Sequence, residues 1–230
     1  MQNIHAILTD IPLDEALRYL GGQAAGGVAD IGPEFLSSLE ASSELLQKTA
    51  RPRAVWRLFP LLPGGSLGGT AFLPEGHAVR ELLAPCSSVI LMAATLGAEV
   101  EALIRRWQHR DMAQAAILDA MASAAVENVC DNFCADLQEA FAPRFLTGRF
   151  SPGYGDFPLE QQRDLCGLLD VSRRIGVSLT KSGLMLPQKS VTAVIGVSDS
   201  PLEHRRRSCD VCRLAATCLY RKKGSHCGNV

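Results

Sequence analysis

Residues 111–141 carry an apolar side chain at every fourth position through most of their length: Ile117, Met121, Ala125, Val129, Phe133, Leu137 and Phe141. Side chains four apart share one face of an α-helix, so a stripe sustained this far predicts a single long helix with one buried side. That helix is expected to be the centre of the core. Opposite the stripe, Asp119, Ser123, Glu127 and Asp131 form an acidic face, whose plain explanation is a solvated surface. Cys130 and Cys134 are one turn apart on the same helix. Two thiols alone do not close a metal site, and both read as small core residues.

The remaining segments fit around this helix. Residues 12–20 place Leu13, Ala16, Leu17 and Leu20 at helical spacing and stop at Gly21 and Gly22. A second helix opens at Pro33, a residue tolerated in a first turn, and continues through Phe35, Leu36, Leu39, Leu45 and Leu46. Residues 51–62 read as a strand ended by Pro63, Gly64 and Gly65. The glycine-rich run 64–70 lacks both the Gly-Lys-Ser/Thr ending and the Gly-x-Gly-x-x-Gly spacing of phosphate loops, so it is expected to be a hairpin connection. His77 nearby reads as a helix or loop histidine rather than a ligand.

Residues 89–97 are a buried strand running into a turn, and 98–107 a helix. Residues 159–175 form a further helix, with Leu165, Leu168, Leu169 and Val171 near one face and Gly176 at its end. The β-branched runs 177–183 and 190–197 are expected to be strands, pairing antiparallel across 184–189. Strands on both sides of long helices, without regular βαβ alternation, give an α+β fold: an antiparallel β-sheet packed with long helices, plus a small cysteine-rich C-terminal tail. Residues 1–87 are expected to form the N-terminal helical and hairpin part of the same globular unit, 88–200 its core, and 201–230 the tail.

With 230 residues, 47% of them hydrophobic, the chain can bury one good core. A formal net charge of −1 marks neither nucleic acid nor an anionic membrane as a partner. Residues 1–27 lack a signal-peptide pattern, and the longest apolar run there or beyond, 89–94, is far too short for a bilayer, so a cytoplasmic protein is expected. Without export, its eight cysteines read as thiols or metal ligands.

The strongest sign of a ligand site is the segment 149–158, with Pro152, Pro158, Gly153 and Gly155 fixing a tight path between Arg149 and Phe157. Arg149 offers a planar fork of donors suited to a carboxylate, Gly153 permits close approach to the backbone, and Tyr154 adds a flat face and a hydroxyl. Read alone, the same residues also suit a surface loop whose arginine pairs with a neighbouring acid.

The run Arg149, Phe150, Ser151, Pro152, Gly153, Tyr154, then Pro158 to Gln162, then the stretches 175–180 and 186–193, resembles the activation domain of vitamin B12-dependent methionine synthase, most of all its free-standing versions. The resemblance covers about 88–197. It implies an S-adenosylmethionine site used to remethylate a corrinoid whose cobalt has reached the inactive Co(II) state. By the resemblance, Arg149 would hold the ligand carboxylate and Glu127 its positive end, while backbone around Ser151, Pro152, Gly153 and Tyr154 contacts the rest. The chain departs from the long multidomain enzymes in lacking a tyrosine-rich strand after residues 190–193. It also lacks a corrinoid-binding histidine motif, so cobalamin is expected to arrive on a partner, a corrinoid-binding methionine synthase protein. The role implied is accessory: support of reductive methylation in trans, within methionine biosynthesis.

The tail carries Cys209, Cys212, Cys218 and Cys227, with His226 beside the last, after the basic run 204–207. Four soft thiolates suit a [4Fe-4S] cluster or tetrahedral zinc. A single Cys-x-x-Cys pair with irregular further spacing favours the cluster, which would be a local electron donor; His226 in place of Cys227, or free thiols, are the other readings. The alternative function is a non-catalytic corrinoid-protein partner or S-adenosylmethionine-binding module with a structural zinc tail. An ordinary methyltransferase is disfavoured by the absence of a Rossmann-type glycine fingerprint.

Overall fold

A computed structural model describes residues 2–4, 8–21, 32–202 and 216. Five strands, β1 (Gln2–Ile4), β2 (Arg53–Pro60), β3 (Ser88–Thr95), β4 (Phe145–Leu146) and β7 (Ser190–Ser198), form one sheet in the order β1-β2-β3-β7-β4. Every neighbouring pair is antiparallel. A separate two-stranded ribbon pairs β5 (Ser178–Leu179) with β6 (Met185–Leu186). This is the α+β architecture expected of the chain.

The two central strands explain the unbroken apolar run at 89–94. Strand side chains alternate between faces, and here both faces are covered. Ile90, Met92 and Ala94 of β3 join Ala193, Ile195 and Val197 of β7 under four helices: α1 (Leu13–Tyr19), α2 (Pro33–Thr49), α4 (Ala98–Gln108) and α5 (Met112–Ala140). Val89, Leu91 and Ala93 face the other way with Val194, against α3 (His77–Leu83), α6 (Gln162–Leu169) and α7 (Val171–Ile175).

Helix α5 is the expected spine. Its N-cap Asp111 accepts from the Ala113 and Gln114 N–H groups at 2.9 and 3.1 Å, satisfying donors that the helix start leaves over. Ile117, Met121, Ala125, Val129, Phe133 and Leu137 are all buried. The buried side is wider than the stripe, because Ala115, Ala120, Ala122 and Ala124 are small enough for neighbouring elements to close in on them. At the far end Phe141 meets Trp56 of β2 edge to face, with ring centres 5.6 Å apart.

Other expectations are met by α1, α2 with Pro33 in its first turn, β2, β3 and α4. The 64–70 run makes a tight connection closed by the Leu61–Leu67 bridge, and His77 begins α3 with its side chain exposed. Two expectations are corrected. The helix over 159–175 is a 3-10 turn (Leu159–Gln161) followed by α6 and α7, broken at Asp170, whose φ of 50° lies in the left-handed region. The break lets Leu169 and Val171 both enter the core. The run 177–183 does not pair with 190–197. Its β5 residues pair locally with β6 across a turn closed by the Thr180 N–H to Leu184 carbonyl bond, whereas β7 pairs along its length with β3. A nine-residue strand buried on both faces finds its match in the eight-residue run of like character. Strands β1 and β4 have no counterpart in the sequence reading. No described helix is long and apolar enough to cross a membrane.

Candidate functional site

Arg149 reaches its place through the sheet edge. After β4, the Thr147 N–H bonds the Gly196 carbonyl at 2.9 Å, and Phe150 makes a two-way bridge with Val194 at 3.0 and 2.9 Å. Successive residues of an extended chain point to opposite faces. Phe150 packs toward α6 and α7, stacked on buried Phe157 at 6.2 Å, so Arg149 is turned toward α5.

There its guanidinium lies between two acids one helical turn apart. Nη2 donates to Glu127 Oε2 at 2.8 Å, and Nη1 forms an ion pair with Asp131 Oδ1 at 2.8 Å and donates to Cys134 Sγ at 3.9 Å. The Arg149 side chain is only 11% exposed, against 33% for Glu127 and 71% for Asp131. Burial works against its charge, but the Cys130 and Cys134 sulfurs and the Asp131 and Glu127 carboxylates outweigh it and raise its pKa. Burial also raises the pKa of both thiols, so they stay protonated near neutral pH, and the two carboxylates are what balance the cation.

A guanidinium has five N–H donors. Nη2 donates to Glu127 and Nη1 to Cys134, while Asp131 is held as an ion pair, and Nε–H has no hydrogen-bond partner among the described residues. A planar guanidinium with a donor to spare is suited to a carboxylate.

The loop beyond Arg149 is stitched by its own backbone: Gly153 N–H to the Phe157 carbonyl at 2.8 Å, Tyr154 N–H to Ser151 at 3.1 Å and Phe157 N–H to Tyr154 at 2.9 Å. Gly153 has φ 92°, a region that side chains rarely enter. Pro152 is buried and Tyr154 projects, 62% exposed. Tyr19, at the end of α1, faces the same place. Burial and then the Glu127 carboxylate raise its pKa, with Tyr154 a smaller contributor. Tyr19 is therefore within electrostatic reach of both Glu127 and Tyr154.

The acidic face of α5 is thus not simply solvated. Lys189, its side chain 13% exposed, bonds Asp119 and the Ser123 hydroxyl, each at 2.8 Å, two turns from Arg149's partners. A concavity of about 110 Å³ opens at this Lys189 end, bordered by Glu101 and Gln188. It is smaller than the roughly 300 Å³ at which pockets for small-molecule ligands begin.

The family resemblance implies that Arg149 holds the carboxylate of a ligand and Glu127 its positive end; the structure brings the two side chains into direct contact. Asp131 and Tyr19 were not read as site residues. Asp131 is recognisable in retrospect as one turn from Glu127, and Tyr19 as a scarce aromatic. Cys209, Cys212, Cys218 and Cys227, with His226 and the basic run 204–207, lie outside the described residues. Among the described residues no group of three or more His, Cys, Asp or Glu could hold a metal ion.

Residues 86–203 match the family model for the vitamin B12 dependent methionine synthase activation domain. The chain belongs to this family. Its fold is similar to that in the crystal structure of the MetH reactivation domain bound to AdoHcy, with 19% sequence identity, a TM-score of 0.62, and coverage of 97% of this chain and 86% of that one. No curated protein matches the chain.

The activation-domain match begins after the segment that anchors the loop. Asp156 accepts from the N–H groups of His77 and Ala78, and Gln161 bonds the Glu75 N–H at 2.9 Å and the Leu73 carbonyl at 2.8 Å. The His77 and then the Ala78 N–H lower the Asp156 pKa. A carboxyl depressed in the folded state stabilises above its unfolded pKa, and that contribution is lost as pH falls through the folded value. Asp156→Ala is accordingly expected to speed amide exchange at His77, Ala78 and Phe157 by about tenfold at pH 7. In the parent the same amides should open only in acid, below about pH 4. Equal exchange in both proteins at pH 7 would remove Asp156 as the anchor.

Proposed function

We propose that this chain binds S-adenosylmethionine and presents it to a corrinoid carried by a partner methionine synthase protein, supporting in trans the reductive methylation of the inactive Co(II) form. The observation that carries the reading is Arg149: a largely buried guanidinium, held between Glu127 and Asp131, with Nε–H left without a partner among the described residues, at the head of an Arg-x-x-x-Gly-Tyr loop in an activation-domain chain. The ligand offers one carboxylate, one ammonium, one sulfonium and an adenine. Arg149 takes the carboxylate, and Glu127 faces the positive end. Backbone at Ser151, Pro152, Gly153 and Tyr154 lines the rest, and the rings of Tyr154 and Tyr19 supply flat faces for the adenine. The likeness to a reactivation domain solved with AdoHcy supports an adenosyl ligand.

The corrinoid is substrate here, held by its own protein. Given one electron, it takes the methyl group from the sulfonium and leaves S-adenosylhomocysteine. The contribution of this chain is to hold the carboxylate and adenosyl ends still, so that the methyl group faces outward. The donor set of Cys209, Cys212, Cys218 and Cys227 fits an iron-sulfur cluster, and such a cluster, when bound, supplies single electrons.

Anaerobically purified protein tests both parts. It is expected to bind one S-adenosylmethionine per chain and to contain about four irons and four sulfides. No binding of S-adenosylmethionine would sink the main reading. Binding with one zinc and no iron would instead favour a binding module with a structural zinc tail, because zinc has no redox chemistry.

A further inference from the structure

We propose that the connection of residues 61–73 seats the corrinoid-carrying partner, through an apolar face that its Leu62 and Leu73 share with Leu159 and Tyr154 beside the ligand. The inference rests on the S-adenosylmethionine reading above and adds the partner's footprint to it. The connection ends before residue 86, where the activation-domain match begins, so membership of the family assigns it no role.

This segment sorts its apolar side chains into two sets. Leu67 and Phe72 are buried in the core layer that holds α3, α6 and α7. The backbone around them is closed by its own bonds: Leu67 N–H to the Phe72 carbonyl at 2.9 Å, Gly68 N–H to Pro60 at 2.8 Å and Leu62 N–H to Ser66 at 2.9 Å. Leu62 and Leu73 are held outside this framework, 45% and 37% exposed.

The two leucines are continuous with the ligand loop. Leu73 Cδ1 stands 3.6 Å from where a side chain on Gly65 would begin, and the Gly65 N–H bonds the Leu62 carbonyl at 2.9 Å, so both leucines border one turn. On its other side the Leu73 carbonyl accepts from Gln161 Nε2 at 2.8 Å. Two residues before Gln161, Leu159 is 41% exposed, with its Cδ1 3.6 Å from the position of a Cβ on Gly153. Tyr154 comes next, the most exposed of the four. One apolar strip therefore runs from Leu62 to the loop, and contiguous exposed apolar surface marks an interaction site.

The chemistry of the site identifies the occupant. A methyl group passes from sulfonium to cobalt only when the two are aligned and in contact, so the protein carrying the corrinoid must settle on the surface around Gly153 and Tyr154. Leu159, Leu73 and Leu62 extend that surface away from the ligand, where they contact the carrier protein and not the corrin. Exposed Glu75 and Glu160, on either side of the Gln161 contact, give the strip an acidic rim. The matching surface is apolar at its centre and basic around it.

The test measures remethylation of the source organism's cobalamin-loaded methionine synthase, with titanium(III) citrate supplying the electron, by wild type, Leu62→Asp/Leu73→Asp and Met112→Glu. Met112 is the more exposed residue at 66%, but it begins α5, about 22 Å along the helix from Glu127. The double variant should raise the partner concentration giving half-maximal rate by at least about tenfold, while its calorimetric affinity for S-adenosylmethionine stays at the wild-type value. Leu62→Ser/Leu73→Ser, which adds no charge, should shift half-saturation less and in the same direction. Met112→Glu should match wild type. Half-saturation within twofold of wild type in both double variants overturns the inference, as does an equal loss in Met112→Glu. If sedimentation shows a wild-type dimer that Leu62→Asp/Leu73→Asp splits, the face belongs to a second copy and the inference falls. If wild type binds no S-adenosylmethionine, the underlying reading falls as well.

Discussion

Arg149→Ala is expected to weaken S-adenosylmethionine binding by at least about a hundredfold, the loss of a two-point, charge-assisted contact in a mostly buried site. Two effects add. The variant removes the N–H donors that receive the ligand carboxylate, and it leaves Glu127 and Asp131 one helical turn apart with no cation between them. The ligand's own carboxylate then meets a site whose formal charge has moved from −1 to −2. The fold should survive, because both acids retain access to water and the loop keeps its Phe150–Val194 bridge and its Phe157 packing. Arg149→Lys separates charge from geometry: it restores the cation without the planar fork, so it should recover only part of the affinity. Calorimetric titration, with circular dichroism to confirm folding, checks both variants. Affinity within threefold of wild type in Arg149→Ala would remove Arg149 from the site.

The long helix could be read from the sequence because its signal is local. Each turn of α5 repeats the same apolar step, and Asp111 marks its start. The same local reasoning extended the 159–175 helix too far. Asp170 is an ordinary helix-surface residue by pattern, and only the need to turn both Leu169 and Val171 inward places it at positive φ. Strand partnership was the least legible feature. β3 and β7 are about a hundred residues apart, both are continuous apolar runs, and no short-range signal distinguishes a distant partner from the adjacent run at 177–183.

The site follows the same division. The loop chemistry of Arg149, Gly153 and Tyr154 is a property of consecutive residues and was visible. The Arg149 pairing with Glu127 and Asp131 depends on Phe150 bridging Val194, a tertiary event that turns Arg149 toward α5. Tyr19 depends on how α1 lies against α5, which its short pattern does not encode.

Gly196 joins fold and site in one position, and Gly196→Val is expected to cost about 3 kcal/mol or more, lowering the melting temperature by about 6–12 °C. A Cβ there would stand 3.0 Å from Thr147 Cγ2 and 3.1 Å from Leu83 Cδ2, and would collide with Cys86 Sγ. Two of these neighbours are held in place. Leu83 is buried in the core beneath the sheet, and Thr147 brackets Gly196 from both sides, its N–H on the Gly196 carbonyl at 2.9 Å and its hydroxyl accepting the Gly196 N–H at 2.8 Å. A branched side chain must therefore push the 145–150 edge away from β7. Arg149 lies two residues beyond Thr147 on that edge, so its placement over Glu127 depends on the contact that the substitution breaks. Gly196→Val should thus lose S-adenosylmethionine affinity along with stability, even at temperatures where it remains folded. A variant melting within 2 °C of wild type would show that the edge can yield without cost. One that is destabilised yet binds normally would show that the Phe150–Val194 bridge alone positions Arg149.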